Sequence, residues 1–127
     1  MPLPIEALTT AALSAALDAA ARRQAVTAAN VANANAQDYV PLRAVFDARL
    51  AEAREALAER GVLAASDLEA IRVDVEPAEQ APGVPARVQL DAEMADLART
   101  AVDFQALTQA LSRHLGLLAL AAGDGRK

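Results

Sequence analysis

The sequence of 127 residues has no cysteine and no tryptophan, and its single histidine is His114. Without cysteine the chain forms no disulfide, no cysteine-ligated zinc site and no catalytic thiol. One histidine is too few for a cluster of histidine ligands around a metal ion. These absences exclude several common kinds of catalytic and metal-binding protein, and we predict no cofactor.

Basic residues and long apolar runs are also scarce. The 12 Lys and Arg residues are outnumbered by 17 Asp and Glu residues, for a net charge of −5. Nucleic-acid binding normally relies on a basic surface, so no nucleic-acid partner is expected. The longest apolar candidate, residues 115–122, falls short of the roughly 18 residues that span a membrane. Glu6 stands where a secretory signal carries positive charge, so we expect no cleaved signal peptide.

Alanine and leucine are the most frequent residues in the chain. There are 35 Ala and 17 Leu residues, whereas aromatic residues make up only 2% of the chain. Alanine is the best helix former, but its burial removes little more than a methyl group from water. The composition therefore favours long helices and provides little core. We expect the chain to complete its burial against other chains.

Two segments show the apolar spacing of long helices. Mostly apolar positions recur in alternating steps of four and three residues, once from position 13 to 34 and again from 90 to 122. This spacing places each set along one face of a helix. The large apolar residues at these seam positions are Leu13, Leu17 and Val31 in the first segment, and Leu90, Met94, Leu97, Phe104, Leu111, Leu115 and Leu118 in the second. The spacing predicts that the two helices pair through these residues.

The segment between the two helices has a different character. Residues 45–60 predict a short exposed helix that ends at Gly61. Ile71, Val73 and Val75 alternate with charged residues, which predicts a short strand. The prolines and the glycine of residues 77–85 (Pro77, Pro82, Gly83 and Pro85) are expected to break regular structure.

These elements predict one all-α domain over residues 1–127. Its long N- and C-terminal helices form a discontinuous antiparallel coiled coil, and a short irregular, β-containing insert separates them. The N-terminal helix with an Asn-rich motif covers residues 4–39, the variable insert residues 40–87, and the C-terminal coiled-coil helix residues 88–123.

Catalysis fits the sequence poorly. General acid–base chemistry needs titratable groups that converge in a pocket, whereas the carboxylates here are spread over helix surfaces and the insert. His114 lies beside the seam position Leu115, which is typical of a surface or interface histidine. We predict that the protein is not an enzyme.

Three asparagines, Asn30, Asn33 and Asn35, stand near the end of the first predicted helix. Asparagine is unfavourable inside helices, because its amide competes for nearby backbone groups, and it is well tolerated at helix ends. One interpretation is a helix C-terminus with polar capping. The other is a turn whose amides bond a partner helix.

The same region carries a family resemblance. Arg23-Gln24, followed by residues 29–35 (Ala-Asn-Val-Ala-Asn-Ala-Asn) and then by Tyr39, resembles the N-terminal signature of bacterial flagellar rod, hook and hook-associated proteins. That signature is roughly Asn-Ile-Ala-Asn-Ala followed by Thr-Pro-Gly-Tyr. Residues 88–98 resemble the matching C-terminal motif, and residues 104–112 are similar to the proximal-rod branch in particular. The matching positions are Asn30, Ala32, Asn33, Asn35, Tyr39, Glu93 and Gln105.

The chain departs from the family pattern at three places. Ala36-Gln37-Asp38 replaces the usual Thr-Pro-Gly, so we expect Asn35 or Asp38 to adopt the unusual backbone conformation of that turn. Residues 82–87 replace the Asp-Gly-Asn stretch that often precedes the C-terminal motif. Phe104 replaces the more usual Tyr.

The resemblance implies a structural role. In that family the terminal helices pair as an antiparallel coiled coil, and subunits stack helically into a tube; the seven motif positions would then make inter-subunit contacts. The implied partners are other flagellar rod subunits, the inner-membrane ring or its rod adaptor, and the flagellar type III export apparatus, in a homo- and hetero-oligomeric assembly.

The implied location is the rod of the flagellar basal body, in the periplasm, after export from the cytoplasm without a cleaved signal peptide. Two alternatives remain open. One is the sister proximal-rod subunit, which shares both motifs. The other is a small acidic helical adaptor or chaperone that binds other proteins.

Overall fold

The two ends of the chain form long helices. The computed structural model describes residues 4–61, 64–69 and 72–124. Helix α1 covers Ile5–Ala32, and the C-terminal helix, α4, covers Leu90–Asp124. Pro4 precedes α1, a position where proline is well tolerated because its missing N–H has no helical partner. Asp91 and Glu93 lie in the first turn of α4, where negative charge interacts favourably with the helix dipole.

The long helices run antiparallel. The Arg23 guanidinium, in the C-terminal half of α1, is 2.9 Å from the Asp96 carboxylate near the start of α4. At the opposite end, His114 Nε2 lies 3.2 Å from the Thr10 hydroxyl. Residue numbers therefore rise along one helix as they fall along the other. The predicted pair of long terminal helices is confirmed.

The described residues of the insert contain two more helices and two small sheets. Strand β1 (Leu42–Val45) pairs antiparallel with β2 (Asp74–Pro77), so that Leu42 lies opposite Pro77. Between these strands lie α2 (Asp47–Arg60) and the single-turn helix α3 (Ala65–Glu69). Gly61 ends α2 with a φ of 68°, a left-handed conformation that glycine adopts without strain. The predicted helix end at Gly61 is confirmed.

One expectation for the insert is wrong. The prolines and glycine of residues 77–85 do not abolish regular structure, because residues 79–85 form a second antiparallel pair. Its strands are β3 (Glu79–Ala81) and β4 (Val84–Pro85). Pro82 and Gly83 are the two turn residues, and Gly83 has a φ of 76°, the combination typical of a type II turn. Of the predicted strand, Val75 belongs to β2, Val73 precedes it and Ile71 lies outside the described residues.

Side chains at the centre of the fold are mostly small or polar. Among the described residues, the buried apolar side chains are Val26 and Leu68, each 8% exposed, and Pro41. The most deeply buried polar residues are Thr27, Asn30 and Thr100, which are 3%, 2% and 1% exposed. The contact between α1 and α4 is therefore organised around polar groups. No helix in the described ranges has an apolar stretch long enough to cross a membrane.

Candidate functional site: the Asn30 cluster between the terminal helices

Asn30 satisfies every hydrogen-bonding group of its amide. Its Nδ2 donates to the Leu42 carbonyl oxygen at 2.8 Å and to Glu93 Oε2 at 3.1 Å. Its Oδ1 accepts from the Leu42 N–H at 2.9 Å and from the Tyr39 hydroxyl at 3.0 Å. A side-chain amide has two donor hydrogens and two acceptor lone pairs, so this buried group has no unmet polar capacity. Asn30 thus connects α1, the following turn, β1 and α4.

The contact between Asn30 and Leu42 resembles the pairing between two strands. Leu42 lies opposite Pro77 in the β1–β2 register, and proline has no N–H to offer. The N–H and C=O of Leu42 point away from β2, and the Asn30 amide bonds both of them. The amide therefore covers a strand edge that would otherwise expose unpaired backbone groups.

A second set of polar contacts lies one to two turns along the same helix pair. The two oxygens of Asp96 accept from Arg23 Nη2 at 2.9 Å and from the Thr27 hydroxyl at 3.2 Å. The Thr100 hydroxyl donates back to the Asp96 carbonyl oxygen at 2.8 Å within α4. No buried side-chain nitrogen or oxygen of the described residues lacks a hydrogen-bond partner. The polar interface is therefore complete and holds the helices in one rotation and register.

The two interpretations of the asparagines apply to different residues. Asn30 bonds the partner helix through Glu93. Asn33 caps the end of α1, because its Nδ2 donates to the Ala29 carbonyl oxygen at 2.8 Å. Asn35 is exposed, and the described part of the chain gives its side chain no hydrogen bond. Asp38, one of the two candidates for the unusual turn conformation, has a φ of 59°.

The two sequence motifs meet at this cluster. Asn30 and Tyr39 come from the N-terminal motif and Glu93 comes from the C-terminal one. Ala32, at the last position of α1, and Gln105, in the middle of α4, are both exposed. The cluster thus joins residues 63 positions apart in sequence through the Asn30–Glu93 bond.

The seam residues divide into two groups by exposure. Leu13, Leu17, Val31, Leu97, Leu111 and Leu118 are partly buried. The others stay open: Leu90 is 48% exposed, Met94 50%, Phe104 36% and Leu115 47%. We call these four residues the open seam. The side of α4 that bonds α1 instead carries Glu93, Asp96 and Thr100, so α4 is rotated by about one residue, roughly 100°, from the predicted seam.

The four-three spacing of the seam includes Thr27, but it does not place Arg23, Asp96 and Thr100 in the contact between the helices. The sequence does contain a pattern that could have identified these polar residues. Arg23, Thr27 and Asn30 follow a four-three spacing on α1, and positions 93, 96 and 100 follow a three-four spacing on α4. Two polar stripes of matching period, on helices expected to pair, indicate a polar interface.

A groove of about 640 Å³ lies beside the cluster. It is lined by α1, β1 and α4, with Leu42 and Phe46 on one wall and Asp103 and Leu107 on the other. His114 is distant from it and touches the Glu6 carbonyl and the Thr10 hydroxyl between the helices. Within the described ranges no three His, Cys, Asp or Glu side chains are placed to hold a metal ion.

A separate ionic contact ties α2 to α3. Arg60 Nη2 lies 3.0 Å from each carboxylate oxygen of Asp67, and the Ala64 N–H donates to Asp67 Oδ2 at 2.8 Å. These hydrogen bonds, the one from the Ala64 backbone first, hold the pKa of Asp67 below its ordinary value of 3.8. The Asp67 carboxylate thereby fixes the start of α3 against the end of α2.

Comparison with models of known protein families and with curated proteins finds no match to this chain. The functional argument therefore rests on the residues and their geometry.

Proposed function

We propose that the protein is a structural subunit that assembles with other subunits through its terminal helices and has no enzymatic activity. More particularly, we propose a proximal-rod subunit of the bacterial flagellar basal body, similar to FlgB. The terminal helices would form the antiparallel coiled coil of that family in the assembled rod, and torque would pass through the packed helices.

The open seam of α4 carries this proposal. Leu90, Met94, Phe104 and Leu115 are between 36% and 50% exposed and span 25 positions, or about 37 Å of helix. All lie on seam positions, and none of the seam positions on either helix bears a charged side chain. A long, uncharged apolar stripe on an acidic protein indicates a surface that another helix covers. Assembly is the simplest means of covering it.

The turn after α1 gives independent support. The flagellar signature has a glycine directly before its tyrosine, and this chain has Asp38 before Tyr39. Asp38 adopts a φ of 59°, the left-handed conformation for which glycine is the usual residue. The backbone here has the conformation that the signature's glycine would supply, although the residue differs.

The small apolar core also suits an exported subunit. With Val26, Pro41 and Leu68 as the buried apolar side chains of the described ranges, little packing opposes unfolding. A chain that passes through a narrow type III export channel must unfold to do so. Stability would then be completed in the periplasm by contact with other rod subunits and with the inner-membrane ring or its adaptor.

Deletion of the gene in the source bacterium tests the proposal. We expect non-swimming cells in which the inner-membrane ring forms but no rod is attached, and restoration of both rods and swimming by a plasmid copy. Swimming cells with normal basal bodies after deletion would contradict it. A stable, fully helical dimer of the purified protein in dilute solution would instead support the adaptor or chaperone alternative.

Cross-linking in cells distinguishes the two proximal-rod subunits. The similarity of residues 104–112 to the FlgB branch favours contact with the inner-membrane ring or its adaptor. Cross-links to other rod subunits alone would favour the FlgC-like sister.

A further inference from the structure

Strand β1 turns one edge toward the groove beside the Asn30 cluster. The Ala78 N–H donates to the Pro41 carbonyl oxygen at 2.8 Å, so in this register the backbone of Arg43 bonds to β2. The backbone groups of its neighbours, Leu42 and Ala44, point the other way, because hydrogen-bonding directions alternate along a strand. Leu42 and Ala44 both line the groove of about 640 Å³ that β1 forms with α1 and α4.

The Asn30 amide covers only the first part of this edge. It bonds the N–H and the C=O of Leu42. Ala44 is half-buried, and no group of the described residues bonds its N–H or its C=O. A docked helix offers no backbone partners for these groups, because the backbone groups of a helix bond one another. A segment in extended conformation offers both a donor and an acceptor from one residue.

The charges around the groove favour a basic occupant. Arg23 and Arg43, the basic residues of its lining, are each paired with a carboxylate of this chain. Glu93 bonds the neutral Asn30 amide. Asp103, on the wall formed by α4, has no hydrogen bond or ion pair with any residue of the described ranges. The lining therefore carries an excess of negative charge, and the net charge of −5 attracts cations in the same direction.

We propose that this groove binds a short extended segment of a partner protein that carries a lysine or arginine side chain. The segment continues the edge that the Asn30 amide begins: its backbone exchanges hydrogen bonds with Ala44, and its basic side chain reaches Asp103. Its apolar side chains pack on Phe46 and Leu107, which face each other across the groove. The groove belongs to a single subunit, so this binding goes beyond assembly through the terminal helices and does not depend on it.

A pentapeptide added to the full chain tests the proposal. The peptide is acetyl-Thr-Val-Arg-Val-Thr-amide, and binding is followed by ¹H–¹⁵N NMR of the labelled protein. We expect shifts at the Ala44 amide and at neighbouring amides of the groove. A peptide with glutamate in place of arginine should bind about fivefold more weakly, because it opposes Asp103. The arginine peptide methylated on its three central backbone nitrogens should bind about three- to tenfold more weakly, because it cannot donate to Ala44.

Variants of the protein separate the backbone contact from the charge contact. Ala44→Pro removes the N–H that faces the groove, at a strand position where proline is tolerated because this N–H does not bond β2. It should weaken binding of the arginine peptide about three- to tenfold and leave helix content unchanged in circular dichroism. Asp103→Asn should weaken binding about two- to fivefold. Asp124→Asn makes the same change of charge at the other end of α4 and should leave binding unchanged.

Four results would overturn the inference. They are no shift of groove amides at the highest soluble peptide concentration, equal binding of the arginine and glutamate peptides, unweakened binding of the methylated peptide, and equal binding by Asp103→Asn and Asp124→Asn. Shifts of the same amides on raising the protein concentration without peptide would assign the groove to a second copy and also overturn it. None of these results bears on the rods of the deletion strain, so the proposed function and the groove are tested separately.

Discussion

At the scale of single residues, Asn30 determines how the terminal helices meet. Its amide has a donor side that faces Leu42 and Glu93 and an acceptor side that faces Leu42 and Tyr39. A side chain that could only donate or only accept hydrogen bonds would leave some of these buried groups without a partner. The residue type is therefore fixed by local chemistry, independently of any resemblance to a family.

Asn30→Asp tests this requirement with almost no change in shape. The carboxylate cannot donate to the Leu42 carbonyl, and it stands against the carboxylate of Glu93. We expect a loss of about 2–4 kcal/mol in unfolding free energy, the range for an unsatisfied buried group combined with an unpaired charge. Urea denaturation, monitored by circular dichroism, measures this loss in unfolding free energy. Asn33→Asp, at the exposed end of α1, is the matched control and should change stability by less than about 1 kcal/mol; equal effects would contradict the assignment.

Asp38 provides a second test at residue scale. Its φ of 59° costs a non-glycine residue free energy, and aspartate tolerates it better than most. Asp38→Gly should therefore retain or raise stability by about 0.5 kcal/mol, whereas Asp38→Val should lower it by about 1–2 kcal/mol, because a β-branched side chain clashes in this region. Thermal melts of the two variants and of the unmodified protein give the order of their stabilities. A valine variant as stable as the glycine variant would refute the turn conformation.

At the scale of elements, the sequence predicted the three longer helices well because their signals are local, whereas the single-turn helix α3 was not predicted. The expected second helix ended at Gly61, as the structure has it, since glycine is the residue that ends a helix in the left-handed conformation. The β3–β4 hairpin was missed because Pro82 and Gly83 were taken as breakers. The same two residues also make a tight turn, and only pairing between the flanking strands distinguishes these outcomes.

The rotation of α4 was harder to predict. Apolar periodicity selects positions 90, 94 and 97, but Thr27 and Asn30 bond Asp96 and Glu93. Buried polar groups must be paired, and this requirement outweighs the burial of a few more methylene groups when the facing helix offers mostly alanine. The asparagine cluster was visible in the sequence, whereas its partners on α4 required knowledge of which side of α4 faced it.

Asp67 allows a prediction about the junction of α2 and α3. Its folded-state pKa lies below 3.8, so its stabilising contribution is fully present above that pH and disappears as the pH falls through the lower folded value. We expect a carboxyl titration by ¹³C NMR with a midpoint below 3.8. Arg60→Gln should raise this midpoint only in part, because the Ala64 N–H is the larger cause. A midpoint at or above 3.8 in the unmodified protein would contradict the contact.

At the scale of the whole molecule, the insert and the open seam lie on opposite sides of the helix pair. The insert packs on α1 and shares with α4 a groove lined by Asp103 and Ala106, and the other side of α4 keeps Met94 and Leu115 about half exposed. The groove beside the insert and the open seam thus lie on different sides of α4. This asymmetry separates residues that maintain the subunit from residues that would join subunits.

Leu111 and Leu115, one turn apart on α4, separate the role of maintaining the subunit from the role of joining subunits. Leu111 is partly buried and Leu115 is 47% exposed. We expect Leu111→Asp to cost about 2–4 kcal/mol, because it places a carboxylate at a partly buried position, and Leu115→Asp to cost about 1 kcal/mol or less. If the open seam joins subunits, both variants fail to restore swimming to the deletion strain, but only Leu111→Asp loses helix content when purified.

Leu115→Met preserves an apolar side chain of similar volume and should restore swimming. A swimming Leu115→Asp strain would exclude the open seam from assembly, because the substitution leaves the subunit folded and changes only the surface that the proposal requires.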